Sequence, residues 1–324
     1  MFNVCTCGVL RREGDSIEMK LKVALIGAIM AFGQIFAGSG SSTTNLNGSY
    51  PIVLSHGMFG WGDSDTNSLI GLFKYWGGMD SYLGSKGAVV YAPGKSALQS
   101  NQFRAQELKD KINLFMAAGG YSKVHIIGHS QGGLDSRYMV ANLGMASKVS
   151  SITSLNTPHR GSPIADIVLG VVPSWLLPYV STTINGLVKI VWGGSQNNLN
   201  ASLSSLTTTN ANTFNTATPN ASGVKYFSYG SKVTVPDLIQ HPLMGILVPV
   251  TGIGGVAKGQ GIENDGLVPL SSQKWGTYKG SPSYSFYVTG LDHLEVSNTL
   301  SLGEKWFDVR SFWLSMAQNA KSNQ

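Results

Sequence analysis

The sequence predicts an α/β fold in which a mostly parallel central sheet is flanked by helices, and three observations carry the prediction. Short runs rich in Val, Ile and Tyr alternate with longer helix-like segments along most of the chain. Gly128-His129-Ser130-Gln131-Gly132 stands directly after the apolar run 123–127 and directly before a helix-like stretch, so a sharp strand-to-helix turn lies near the middle. Hydrophobic residues make up 42% and charged residues only 12% of the 324, enough for a large core and too little charge for disorder.

Taken in order, strand-like runs are expected at 52–54, 88–91, 124–127, 152–155, 224–229 and 284–288. Helix-like segments are expected at 101–118, 131–143 and 302–321. Residues 39–48, rich in Ser, Thr and Gly, read as a flexible linker into one domain over 49–324. The stretch 164–194 breaks the alternation, being densely apolar with only Asp166 and Lys189 charged. It reads either as a buried helix pair or as a helical lid. A second apolar, glycine-rich stretch at 243–255 is expected to form the opposite rim or an acyl pocket.

The glycines around Ser130 have a steric reason. A serine held above a sheet on a tight turn forces close backbone approach, and side chains two residues either way would clash. Such an elbow predicts an acid and then a histidine later in the chain. Of six histidines, His159, His241 and His293 follow the serine. His159 lies just past an expected strand, where it shapes a wall, and His241 sits in an irregular segment. His293 hangs from the loop after 284–288, and Asp265, in Asn264-Asp265-Gly266, precedes it as the order requires. Two backbone N–H groups must face the developing oxyanion. Gln131, opening a helix, and Met58, in the loop Ser55-His56-Gly57-Met58-Phe59-Gly60 after the first strand, are the candidates.

With these residues in view, the chain resembles the secreted triacylglycerol lipases of the Pseudomonas and Burkholderia type, within the α/β-hydrolase superfamily. The colinear blocks are His56-Gly57-Met58-Phe59-Gly60, Gly128-His129-Ser130-Gln131-Gly132-Gly133-Leu134, Ser136-Arg137-Tyr138, Thr157-Pro158-His159-Arg160-Gly161-Ser162, Ser205-Leu206-Thr207-Thr208 and Asn264-Asp265-Gly266-Leu267-Val268. The resemblance implies an α/β-hydrolase fold with a lid over 164–194. It also implies a triad of Ser130, Asp265 and His293, oxyanion donors at Met58 and Gln131, and hydrolysis of long-chain acylglycerols at a lipid–water interface. No cofactor is required for that chemistry. Relatives commonly hold a structural calcium ion near the histidine, which would here fall to Asp237 and Glu295; Glu295 stands where an aspartate is usual. Larger relatives need a dedicated foldase and smaller ones do not, and this chain has features of both. A short-chain esterase or polyester depolymerase, an acyltransferase, and a non-catalytic hydrolase-fold binding protein are the alternative readings.

The N-terminal region points to export. Met19-Lys20-Leu21-Lys22, the apolar run 23–32 and small residues at 33–38 have the pattern of a signal peptide over 19–38. Residues 1–18 then read as an upstream extension, with Met19 as the start. Both cysteines, Cys5 and Cys7, fall in that extension, so no disulfide is expected in the domain. The resemblance to the secreted lipases implies that this export passes through the periplasm. The formal charge of +6 is spread without a basic run, which argues against nucleic-acid binding, and a monomer is expected.

Overall fold

The structure, a computed structural model, describes residues 45–62, 74–170 and 198–324. The expected extension and signal peptide, residues 39–44 of the expected linker and residues 171–194 of the expected lid lie outside the described residues.

Six strands form one sheet in the order β2-β1-β3-β4-β5-β6, with every pair parallel. They are β1 (Ile52–Ser55), β2 (Val90–Tyr91), β3 (Val124–His129), β4 (Val149–Leu155), β5 (Lys225–Tyr229) and β6 (Thr277–Tyr278). In register, Val53 faces Ile126, Ile126 faces Ile152 and Ile152 faces Tyr226. Because side chains alternate along a strand, these residues point to one face of the sheet and their neighbours to the other. Val53, Ile126 and Ile152 pack against α2 (Asn101–Gly119) and α3 (Gln131–Asn142) through Leu108, Ile112 and Met139. Ile52, Leu54, Ile127 and Leu155 pack on the other face against α1 (Met79–Ser85) and α8 (Val309–Lys321), through Met79, Leu83 and Trp313. Both faces are covered, as an all-parallel sheet requires.

Among the described residues, three further α-helices lie between β4 and β5 in the chain, α4 (Pro163–Val168), α5 (Leu199–Leu206) and α6 (Thr208–Ala217), and one, α7 (Leu247–Ala257), lies between β5 and β6. Local signals set several boundaries. The Ser100 hydroxyl accepts the Phe103 N–H at 3.3 Å to start α2, and Gly120, at φ 67°, ends it.

Three expectations are corrected. Residues 284–288 are not a strand; Val288 N–H closes a turn on the Ser285 carbonyl at 2.9 Å, and Phe286 and Tyr287 are exposed. Their Tyr-Ser-Phe alternation imitates a half-buried strand, but the place beside β5 is taken by Thr277–Tyr278. The last helix begins at Val309 rather than 302, because the Asp308 carboxylate caps the Ser311 N–H at 3.0 Å. The preceding turn is pulled away by Asn298, whose side-chain oxygen accepts the Gly303 N–H at 3.1 Å. Within the expected linker, Leu46 is fully buried and its N–H bonds the Lys86 carbonyl at 2.7 Å, so packing reaches back beyond residue 49.

Trp313 tests the α1/α8 face. It is fully buried and meets Trp76 edge-on at 5.5 Å. Trp313→Ala is expected to cost about 3–5 kcal/mol, measured by urea denaturation, because the sheet face cannot collapse into the space. A loss below about 1 kcal/mol would contradict this packing.

Candidate active site

Ser130 sits between β3 and α3 with φ 53° and ψ −131°, in a region that residues with a Cβ rarely adopt. Its neighbours His129 and Gln131 are buried while Ser130 itself is half-buried, so the turn presents this one side chain. A Cβ on Gly128 would come within 2.8 Å of the Gly133 backbone, and one on Gly132 within 2.0 Å of the Ser55 carbonyl oxygen. Both flanking glycines are therefore required by crowding, as expected.

The loop after β1 lies against the serine. A Cβ on Gly57 would stand 2.7 Å from Ser130 Cβ and 3.2 Å from its Oγ. Beneath the loop is a buried polar cluster that the sequence reading missed. Asp135 Oδ2 accepts from Lys95 Nζ at 2.7 Å and from Arg104 Nε at 2.8 Å, with all three side chains inaccessible. Lys95 Nζ also donates to the His56 carbonyl at 2.6 Å. Arg104 Nη2 donates to the His56 carbonyl at 2.7 Å and the Gly57 carbonyl at 3.1 Å. In a trans peptide the carbonyl of one residue and the N–H of the next point opposite ways. Anchoring the Gly57 carbonyl downward therefore turns the Met58 N–H away from Arg104, toward the open side of the loop. Gln131 N–H, at the first position of α3, has no carbonyl of its own helix to bond. The Gln131 side chain is held by Gln99, Asn101 and Ser202.

Asp265 and His293 meet directly. His293 Nδ1 is 2.7 Å from Asp265 Oδ2, and His293 N–H donates to the Asp265 carbonyl at 2.9 Å. Asp265 is fully buried and saturated with donors: Oδ1 accepts from Leu267 N–H (2.9 Å) and Val268 N–H (2.7 Å), and Oδ2 from Asn156 Nδ2 (2.7 Å). With Oδ2 as its acceptor, the His293 ring is held in the tautomer that donates from Nδ1. Nε2 is then left as a base. Asn156, at φ 49° just past β4, is a second residue that sequence reasoning passed over; its only local signal is an asparagine where positive φ is tolerated.

A hydrogen-bond chain ties these parts together. Gly57 N–H donates to the Tyr75 hydroxyl oxygen at 3.1 Å, and His129 Nε2 lies 2.9 Å from the His293 carbonyl. A carbonyl can only accept, so Nε2 carries the proton and Nδ1 accepts from Tyr75 O–H at 2.6 Å. The rings of His129 and His293 pack at 4.7 Å.

Apolar side chains border the site. Ile164 and Ile167 of α4 and Leu247 and Val250 of α7 cluster with Phe59, Leu267 and Leu294, which are near in sequence to Met58, Asp265 and His293. The described start of the expected lid, α4, is thus packed core. Met58 joins Leu134, Leu203 and Leu206 in a neighbouring cluster. His159 is elsewhere, stacked on Trp275 at 5.3 Å and beside Arg137.

The expected metal pair is not brought together. Asp237 Oδ1 accepts the Ile239 N–H at 2.8 Å, and it is His241 that joins Glu295 and Asp292 in a buried group. Calcium takes six to eight oxygen ligands. An imidazole nitrogen among these donor atoms does not fit it. The distance in sequence between residues 241 and 292 gave no signal for this grouping.

The chain belongs to the alpha/beta hydrolase fold family, whose model matches residues 50–275. It is 30% identical over 280 residues to a triacylglycerol lipase of Vibrio cholerae serotype O1, covering 79% of this chain and 85% of that protein. A triacylglycerol lipase of Pseudomonas fragi is 29% identical over 285 residues, covering 81% and 92%. The mature Bacillus licheniformis lipase BlEst2 shares the fold at TM-score 0.57 and 20% identity, over 88% of this chain and 96% of that one. Within the hydrolase fold, the chain stands on the lipase branch.

Two predictions follow from the buried polar groups. Arg104→Ala leaves buried Asp135 short of a partner and takes the guanidinium from the His56 and Gly57 carbonyls; a loss of about 3–5 kcal/mol in urea denaturation is expected, and a loss under about 1 kcal/mol would contradict it. The second concerns pH. Burial holds His56, His129 and His159 well below the usual histidine range, helped at His56 by Lys95 and Arg104, and lowers His125 to about 4. The unfolded chain protonates these four near pH 6.5, so stability present above that pH is lost as it falls, each histidine adding a slope of at most about 1.4 kcal/mol per pH unit. His241 works against these four in part: burial would lower it, but hydrogen bonds to Asp292 and Glu295, and their charges, raise it to about 9, so it is charged in the folded state throughout this window while the unfolded chain takes up its proton only near pH 6.5, and its one contribution is present below that pH and lost as pH rises. Urea midpoints should fall steeply from pH 7.5 to 5.5, and a flat series would contradict the neutral burial.

Proposed function

We propose that this protein is a secreted lipase hydrolysing the ester bonds of long-chain triacylglycerols through an acyl-enzyme formed on Ser130. The observation that carries the reading is the contact of His293 Nδ1 with a buried, donor-saturated Asp265, set beside a strained serine turn. His293 Nε2 takes the proton as Ser130 Oγ attacks the ester carbonyl, and Asp265 stabilises the imidazolium. The N–H groups of Met58 and Gln131 hold the oxyanion. The same imidazole then activates water, which releases the fatty acid.

Triacylglycerol as substrate is supported by the named relatives and by the apolar clusters that border the site. Docking at a lipid–water interface is supported by large apolar side chains left exposed on nearby segments, among them Ile239, Ile253, Val256, Ile262 and Phe286. Secretion rests on the signal-peptide pattern over 19–38.

Hydrolysis of triolein emulsion and of monomeric p-nitrophenyl butyrate, by the protein and its Ser130→Ala variant, tests the reading. Triolein turnover is expected to dominate and to fall in the variant on the order of 10⁶-fold. Turnover of butyrate alone would make the protein a short-chain esterase. Activity surviving the substitution would remove Ser130 as nucleophile.

A further inference from the structure

The segment 237–241 is folded against the loop that carries His293, and a set of directed hydrogen bonds joins the two. Gln240 Nε2 donates to the Gly290 carbonyl at 2.8 Å, which fixes its Oε1 as the acceptor for Thr289 N–H at 2.9 Å. The Thr289 hydroxyl lies 2.9 Å from that same Oε1, which carries no hydrogen, so the hydroxyl donates there. Its oxygen is then free to accept from His241 Nε2 at 3.2 Å. On the opposite edge of the ring, His241 Nδ1 stands 3.0 Å from Glu295 Oε2 and 3.7 Å from Asp292 Oδ2. Glu295 Oε2 also accepts the Asp292 N–H at 2.8 Å. Asp292 Oδ1 accepts the N–H groups of Leu294 (2.8 Å) and Glu295 (2.9 Å). His241, Asp292 and Glu295 are all buried. Both ring nitrogens thus face acceptors, the pattern of an imidazolium that donates twice.

These residues do not fit calcium. The centre of the group is a nitrogen donor rather than an oxygen cage, and the backbone carbonyl of Asp237 is taken by the His241 N–H at 2.7 Å. We propose that His241 is the built-in cation of this junction: by donating to Glu295 and Thr289 it cross-links segment 237–241 to loop 289–295 and positions His293 without a metal ion. Its effect on turnover rests on the reading of His293 as the base; its effect on the loop does not. The geometry carries the cation to the middle of two carboxylates that would otherwise repel one another beside the active histidine, and it does so with an internal group that chelators cannot remove.

The test uses the full chain. Thermal unfolding in EDTA and in millimolar calcium is expected to give the same Tm; a Tm raised by calcium or lowered by EDTA overturns the proposal. NMR of ¹⁵N-histidine-labelled protein at neutral pH should show His241 protonated at both ring nitrogens, and a singly protonated ring overturns it. His241→Asp replaces the cation with a third carboxylate, so Tm in EDTA should fall by roughly 5–15 °C and be regained with calcium. The kcat of that variant should fall and recover in parallel, with KM unchanged, whereas His241→Asn should be destabilised and unresponsive to calcium. A folded His241→Asp protein with wild-type Tm in EDTA also overturns the proposal. If neither variant folds, the two wild-type readouts decide alone. Loss of the triad reading, seen as activity in Ser130→Ala, would leave the Tm and NMR outcomes standing, so the two failures are distinguishable.

Discussion

The close approach of the first turn of α3 to the end of β1 is the constraint on which the site depends. At Gly132 even a methyl group would lie 2.0 Å from the Ser55 carbonyl oxygen and 2.7 Å from that of His56. The Ser55 hydroxyl closes the contact by donating to the Gly132 carbonyl at 3.0 Å. This approach brings the loop after β1 against Ser130, so two segments far apart in the chain come to share one space. It also holds Ser130 in a backbone conformation that costs about 1–3 kcal/mol. Burial of one or two apolar side chains offsets that much, and all of β3 is buried.

The geometry above the sheet is set by buried polar groups rather than by apolar packing. Two cations sharing the Asp135 carboxylate are expensive to bury, and such clusters contribute little net stability. Lys95 shows the cost: burial and the neighbouring Arg104 lower it to about 7, even with Asp135 beside it. What the cluster supplies is direction, because its remaining N–H groups fix the carbonyls of His56 and Gly57. Asn156 does the same for Asp265, and the Tyr75–His129 pair for the His293 backbone. Directional bonds of this kind resist small displacements that dispersion contacts tolerate, which is what a reaction sensitive to fractions of an ångström requires.

The apolar clusters have a different task. Phe59, Leu267 and Leu294 each flank a polar element of the site and pack on α4 and α7. They set apolar surface beside the Asp265–His293 pair, where low local polarity strengthens its electrostatic interaction. The outer side of the same region leaves Ile253 and Val256 of α7 exposed, so one short helix contributes to the core with one face and meets solvent with the other.

Features governed by neighbours in the chain were legible in the sequence. The five strands that carry the core, the elbow glycines and the order of Ser130, Asp265 and His293 all depend on local periodicity, local sterics or chain order. The segment 284–288 was misread because alternation reports only the capacity to be a strand, while the edge of a sheet is awarded to whichever segment reaches it. Asp237 was misread for a similar reason: a carboxylate at a plausible place in the sequence turned its oxygen to its own turn, and His241 took the position beside Glu295. Lys95, Arg104 and Asp135 gave no local pattern at all, since hydrogen bonds between residues about thirty to fifty positions apart exist only once the chain has folded. The sequence by itself determined most of the sheet, the turn that presents Ser130 and the chain order of Asp265 and His293, because those follow from period, crowding and order. Only the tertiary structure decided which buried polar groups aim them, because that depends on distances in space that no neighbouring residues encode.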